Sequence, residues 1–72
     1  ELAVPRACRA RLGVFDMQGR RVATLLEGAL AAGRHQATWD GTAAGRPVPA
    51  GVYFARLWAD GVALSRRLVI AR

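Results

Sequence analysis

Apolar and polar residues alternate along most of the chain, in short runs that are separated by turn-forming residues. In the run 8–15, for example, Cys8, Ala10, Leu12 and Val14 fall on one face of an extended strand. This period of two is typical of strands that bury one face. The runs predicted to be strands are 2–4, 8–15, 21–26, 34–39, 52–58 and 62–70.

Glycine, aspartate and proline mark the ends of these runs. The dipeptide Asp60-Gly61 is a strong signal for a two-residue hairpin, and residues 16–19 predict a somewhat longer one. Residues 40–51 hold several glycines and prolines, which predicts a longer loop. Strands joined by such short turns are antiparallel neighbours. The pattern therefore predicts an all-β sandwich or barrel.

The segment 22–32 admits a second interpretation. Leu25, Leu26, Ala29 and Leu30 have the spacing of one helix face. Gly28 lies in the middle of the segment, where it weakens a helix by about 1 kcal/mol relative to alanine. We therefore expect a strand followed by a loop, with a helix as the alternative.

The predicted interior is built around large side chains from two of the runs. Trp39 offers a wide apolar ring, and its indole N–H needs a hydrogen-bond partner when the ring is buried. Tyr53 is expected to face inward together with Ala55 and Leu57. On the run 62–70, Val62, Leu64, Leu68 and Ile70 line up on one face, with Arg66 interrupting them.

Length and composition indicate a single small domain that belongs to something larger. The chain has 72 residues, of which 53% are hydrophobic, and Cys8 is the one cysteine, so no internal disulfide can form. No stretch reaches the roughly 20 apolar residues that a membrane-spanning helix needs. Because the sequence opens without an initiator methionine or a signal peptide, we expect a fragment of a longer protein.

The net charge of +6 comes from eleven arginines, no lysines and five acidic residues. One interpretation is the codon usage of a GC-rich genome, and the other is an anionic partner such as nucleic acid, polysaccharide or lipid. The arginines are scattered, with pairs only at 20–21 and 66–67. Charge alone therefore identifies no partner.

The sequence shows no catalytic motif. Cys8 and His35 are more typical of packed strand residues than of a nucleophile and its base. The aspartates at 16, 40 and 60 lie beside or near glycines, which favours turn formation over calcium binding. The remaining candidate is a nucleic-acid platform, although the same residues are typical of the second face of a sandwich; they are Phe15, Phe54, Trp58, Arg9, Arg11 and Arg56.

Four segments in register carry a resemblance to a known group of bacterial domains. They are 14–25 (VFDMQGRRVATL), 32–41 (AGRHQATWDG), 45–54 (GRPVPAGVYF) and 65–72 (SRRLVIAR). In this order they resemble segments of the Ig-like domain of the flagellar hook-capping protein and of its relatives, the type A C-terminal sorting domains of type IX secretion cargo. The family's first strand is missing from the sequence, and arginines stand where sorting domains commonly have lysines.

The resemblance implies a small antiparallel immunoglobulin-like β-sandwich of six or seven short strands, with residues 1–72 as one C-terminal module. It implies a non-catalytic sorting or attachment role in a secreted bacterial protein, outside the cell or on its surface, without cofactor or metal. The expected partners are proteins, either secretion and attachment machinery or neighbouring subunits, and not nucleic acid. Recognition is expected to use the folded surface and the terminal strand, with the candidate interaction residues Arg66, Arg67, Leu68, Val69, Ile70 and Arg72.

The alternative is a structural Ig-like subunit of an extracellular filament or appendage. A sandwich that lacks a strand exposes unpaired N–H and C=O groups, which another chain can cover by strand addition. Under this hypothesis the chain forms an oligomer or polymer through its strand edges.

Overall fold

The regular structure of the chain is entirely β in its computed structural model, which describes residues 2–4 and 6–71. The strands are β1 (Leu2–Val4), β2 (Cys8–Phe15), β3 (Arg21–Leu30), β4 (Gly33–His35), β5 (Thr42–Ala43), β6 (Arg46–Pro47), β7 (Gly51–Ala59) and β8 (Val62–Ile70). The all-β prediction is confirmed, and the helical alternative for 22–32 is wrong.

Four antiparallel strands form the main sheet, in the order β3-β2-β7-β8. The turn between β7 and β8 has two residues, Asp60 and Gly61, whose φ angles of 53° and 75° are both positive, as a hairpin turn that matches the twist of its strands requires. The turn between β2 and β3 is closed by the N–H of Gly19, which donates to the carbonyl of Asp16 at 3.0 Å. Both predicted hairpins are therefore confirmed.

Strand β3 is longer than expected and irregular against β2. Leu12 pairs with Leu26 while Gly13 pairs with Thr24, so Leu25 is an extra residue at a register shift, and Val22 is skipped in the same way. Both extra residues pack against the core. These bulges break the alternation of β3 and produce the helix-like spacing of its apolar residues.

A thinner second layer covers one face of the main sheet. It contains the small hairpin β5–β6, whose strand β5 contacts β3, and the segment that carries Trp39. The pair β1–β4 forms a separate two-stranded sheet. Tyr53 of β7, Val14 of β2 and Val48 form the buried cluster, and Trp39 packs against it. The Trp39 and Tyr53 rings meet edge to face, with 5.4 Å between centroids. The fold is the small Ig-like β-sandwich that was expected.

Hydrogen bonds from the two rings hold the covering segment in place. The indole N–H of Trp39 donates to the carbonyl of Thr42 at 2.9 Å. This bond gives the N–H the partner that it needs when the ring is packed inside the sandwich. The hydroxyl of Tyr53 donates to the carbonyl of Pro49 at 2.6 Å. Both predictions for these inward-facing rings are confirmed.

Two predictions about the segment 33–51 need correction. The strand expected at 34–39 ends at His35, and residues 36–40 run without a strand partner among the described residues. The loop expected at 40–51 contains the hairpin β5–β6, whose turn residues Ala44 and Gly45 both have positive φ. Alanine is unusual at such a position, so the sequence carries only half of the hairpin signal.

The second layer does not extend over the whole main sheet. Leu57 is half-buried between Leu12 and Leu64, its partners on the neighbouring strands. The face predicted on β8 exists, but Val62 and Leu64 are 55% and 61% exposed, and only Leu68 and Ile70 are half-buried. Because β8 is an edge strand, its first half pairs with β7 on one side, but the described structure has no strand on its other side and no layer above it.

Candidate interaction site

The two residues that offered reactive chemistry lie in different sheets. Cys8 is half-buried on β2 and pairs with Leu30, whereas His35 lies on β4 in another sheet. The Nε2–H of His35 donates to the carbonyl of Ala31 at 2.7 Å. Within residues 2–4 and 6–71, no three or more His, Cys, Asp or Glu side chains lie together as a metal-binding group, and no helix is long and apolar enough to cross a membrane.

Two aspartates organise turns with their own carboxylates, as predicted. Asp16 Oδ1 accepts hydrogen bonds from the backbone N–H groups of Gln18 and Arg20, both at 2.9 Å, and Asp40 Oδ1 accepts from the hydroxyl and the N–H of Thr42. The N–H of Arg20 lowers the pKa of Asp16, and the Thr42 hydroxyl lowers the pKa of Asp40, because each stabilises the charged carboxylate.

The third aspartate links the residues before β2 to the turn between β7 and β8. Asp60, in the turn between β7 and β8, accepts two hydrogen bonds from the guanidinium of Arg6, at 2.8 and 2.9 Å. This side-chain hydrogen bonding lowers the pKa of Asp60. The pair fixes the entry of β2 against the end of β7, so all three aspartates have structural partners.

The outer face of the main sheet brings together the aromatic and basic residues that suggested a nucleic-acid platform. Phe15 and Trp58 meet edge to face, with centroids 5.8 Å apart. The guanidinium of Arg11 lies 5.9 Å from the Trp58 ring, and that of Arg56 lies 5.2 Å from the Phe15 ring. These arginines cover the ring faces on which a base would stack, so the geometry disfavours a stacking platform.

The residues expected to mediate interaction form the second half of the edge strand β8. Arg66 pairs with Ala55 and therefore lies on the core-facing side of the sheet, whereas Arg67 pairs with Phe54 and lies on the outer side. Leu68 and Ile70 reach toward the core, and Val69 is 66% exposed. Arg72 lies outside the described residues.

A groove of about 580 Å³ runs along the core-facing side of β8. Its floor and far wall are apolar, and Arg66 is the charged side chain among the residues that line it. Among the apolar residues that line it are Leu12, Trp39, Leu57, Leu64 and Leu68. The groove exists because the covering layer stops short of β8, which leaves these side chains open on one side.

The sequence pattern predicts β8 but not the groove beside it. The alternation of 62–70 placed Leu64 on the same face as Leu68, yet no pattern in the strand distinguishes an exposed leucine from a half-buried one. The groove also depends on Leu12 and Trp39, which are distant from β8 in sequence and reach it only through the sheet order.

A comparison with known protein families identifies the fold group. The family described as the FlgD Ig-like domain matches residues 3–61, which is 59 of the 72 residues and ends at the turn before β8. Searches of curated proteins and of solved structures each find no match. The match includes strands β2 to β7, and with them the core rings of Trp39 and Tyr53, in a single stretch. The chain therefore belongs to the FlgD Ig-like domain family.

Proposed function

We propose that this chain is a non-catalytic structural module of an extracellular bacterial assembly of the flagellar hook-cap type, and that it works by binding other protein subunits. Membership of the FlgD Ig-like domain family supports a structural role. This is the filament or appendage hypothesis raised by the sequence, and it fits the family better than the sorting role does.

The observation that carries the proposal is the open side of β8. An edge strand of nine residues with Val62, Leu64 and Val69 more than half exposed is unusual for an isolated soluble domain, because such edges invite pairing with other chains. The same strand lines the apolar groove. A protein partner is the occupant that such a combination favours.

The total exposed surface is consistent with a module that is completed by its neighbours. The accessible area is 5199 Å², whereas a compact monomer of 7.7 kDa has about 4,300 Å². The excess is similar to the roughly 800 Å² that each partner buries in a standard protein interface. Only five described hydrophobic residues are buried, and of these only Val14 is fully buried, so the core by itself is thin.

The proposal is tested by photo-crosslinking in the bacterium that encodes the chain. A benzoylphenylalanine is placed at one of three exposed positions, Leu64 on β8, Met17 in the first hairpin turn or Trp58 on the outer face. We expect adducts with other proteins in the extracellular or appendage fraction, with Leu64 among the reactive positions. Failure of all three positions to capture a protein, or retention of the chain in the cytoplasm, would contradict the proposal.

The sorting role has no support from the family match and stays a prediction. It requires the terminal strand to be recognised by export or attachment machinery, and β8 lies beyond the matched residues. Fusion of residues 1–72 to a reporter in a host with type IX secretion tests it. Delivery of the reporter to the cell surface would support sorting, and its retention in the periplasm would contradict it.

A further inference from the structure

We propose that β8 and its groove bind one extended strand of another protein, and that this strand carries an acidic side chain opposite Arg66. The inference rests on the proposed structural role and specifies the partner's chemistry. Among the described strands, β8 pairs only with β7. Its second edge therefore presents the backbone N–H and C=O groups that an added antiparallel or parallel strand requires.

The groove supplies pockets for alternate side chains of the added strand. Leu64 and Leu68 stand on β8 on either side of Arg66, and Leu57 and Trp39 lie behind them. A strand that pairs with β8 projects every second side chain to this face. Apolar side chains opposite Leu64 and Leu68 would cover surface that is exposed in the isolated chain.

Arg66 determines the charge of the partner. It lies on the core-facing side among apolar neighbours, it is exposed, and it has no ion-pair partner in the part of the chain that the structure describes. Opposite charges directly across two paired strands attract, and like charges repel. An inward-facing charge also protects an edge strand from unspecific pairing. Both effects favour a partner strand with an acid at this one position.

A second copy of this chain is the less suitable occupant. Arg66 is the middle residue of Val62–Ile70, so a full-length twofold antiparallel pairing of β8 with itself places two Arg66 side chains opposite each other. The chain as a whole carries +6, which adds repulsion between copies. The same charges attract an acidic segment, so charge complementarity selects a different protein.

The test uses a labelled nine-residue peptide with a solubilising tail as the probe. The peptide has glutamate at position 5, valine at its other odd positions and threonine at its even positions. Full antiparallel pairing with β8 then brings the glutamate opposite Arg66. A second peptide has lysine at position 5. Binding to the 72-residue chain is measured by fluorescence anisotropy, and the binding edge is located by NMR shifts of the backbone amides.

Two variants differ only in the face that carries the changed charge. Arg66→Glu reverses the charge in the groove, and Arg67→Glu makes the same change one residue later, on the outer face. We expect Arg66→Glu to weaken binding of the glutamate peptide by about tenfold and Arg67→Glu by less than about threefold. The lysine peptide should show the reverse preference and bind Arg66→Glu more tightly than the original chain.

Several results would overturn the inference. Both residues are exposed, so the variants are expected to fold, and far-UV circular dichroism verifies it. An equal loss of affinity for the glutamate peptide in the two variants would mean that only the overall charge of the chain matters. NMR shifts of backbone amides on β3 would place the binding site at the other edge of the sheet. Dimerisation of the chain alone through β8, detected by sedimentation, would make a second copy the occupant.

The inference and the proposed function fail in different ways. If the folded chain binds neither peptide while photo-crosslinking captures proteins at Met17 or Trp58, the structural role stands and the strand-addition site is wrong. If no position captures a protein in the cell, the proposed function fails whatever the peptides do.

Discussion

Shortening Val14 to alanine tests whether the sandwich core is where the structure places it. Val14 lies on the central strand β2, between β3 and β7, and none of its surface is exposed. Val14→Ala removes two carbon atoms from this site, and the loss of buried surface lowers the free energy of unfolding by about 1.6 kcal/mol. A cavity that does not collapse raises the loss toward about 3 kcal/mol.

This loss is large for so small a domain. A chain of 72 residues has a total free energy of unfolding of about 4–11 kcal/mol. In urea, where a small protein loses about 1 kcal/mol per molar denaturant, the midpoint of unfolding should fall by about 1.5–3 M. Tryptophan fluorescence reports the transition, because Trp39 packs against the same cluster.

Val69→Ala is the matched control, since it makes the same chemical change on the exposed strand β8. Val69 is 66% exposed, so we expect its substitution to lower the free energy of unfolding by less than about 1 kcal/mol. Most of this loss comes from the lower strand preference of alanine. Equal midpoint shifts for the two variants would refute the reasoning, because burial is the difference between the two sites. A change in the slope of the transition would indicate an altered unfolded state instead.

Three further predictions concern the rings and turns. Tyr53→Phe removes the hydroxyl that donates to Pro49 and should lower the free energy of unfolding by about 1 kcal/mol in the urea titration; no loss would mean that the hydroxyl contributes nothing. Gly61→Ala forces a side chain into a left-handed conformation and should cost about 1–2 kcal/mol in the same assay; an unchanged midpoint would show that the turn relaxes freely. The pKa of Asp16 is lowered in the folded chain, so the stability that its carboxylate contributes is present above the unfolded pKa of about 3.9 and is lost as pH falls through the folded value. The Tm should therefore decline from about pH 5 downward, and Asp16→Asn should make this decline shallower; an equal slope in both would contradict the assignment.

The candidate site was only partly accessible from the sequence. The closing motif 65–72 directed attention to β8 through a family resemblance, and the strand lies where that resemblance implies. The groove could not be predicted, because it is defined by the absence of cover above Leu64 among the residues that the structure describes. Absence of cover depends on where Trp39 and the hairpin β5–β6 pack, and short-range patterns carry no information about that.

The irregular strand β3 shows how a local pattern can mislead. Val22 and Leu25 are bulge residues, and each adds one position to the strand without a partner on β2. Because both still reach the core, the apolar residues of β3 acquire a spacing that resembles a helix face. The pairing partner, which is not encoded within the segment, resolves the ambiguity.

Properties that depend on neighbouring residues followed from the sequence by itself: the period of two in β2, β7 and β8, the hairpin at Asp60-Gly61, and the inward face of Tyr53. Side-chain direction alternates with backbone geometry, and turns require particular φ angles, so residue order alone expresses them. The tertiary structure decided the rest. Leu64 and Leu68 are chemically identical and share one face of β8, yet Leu64 is exposed and Leu68 is half-buried because the second layer covers only part of the sheet.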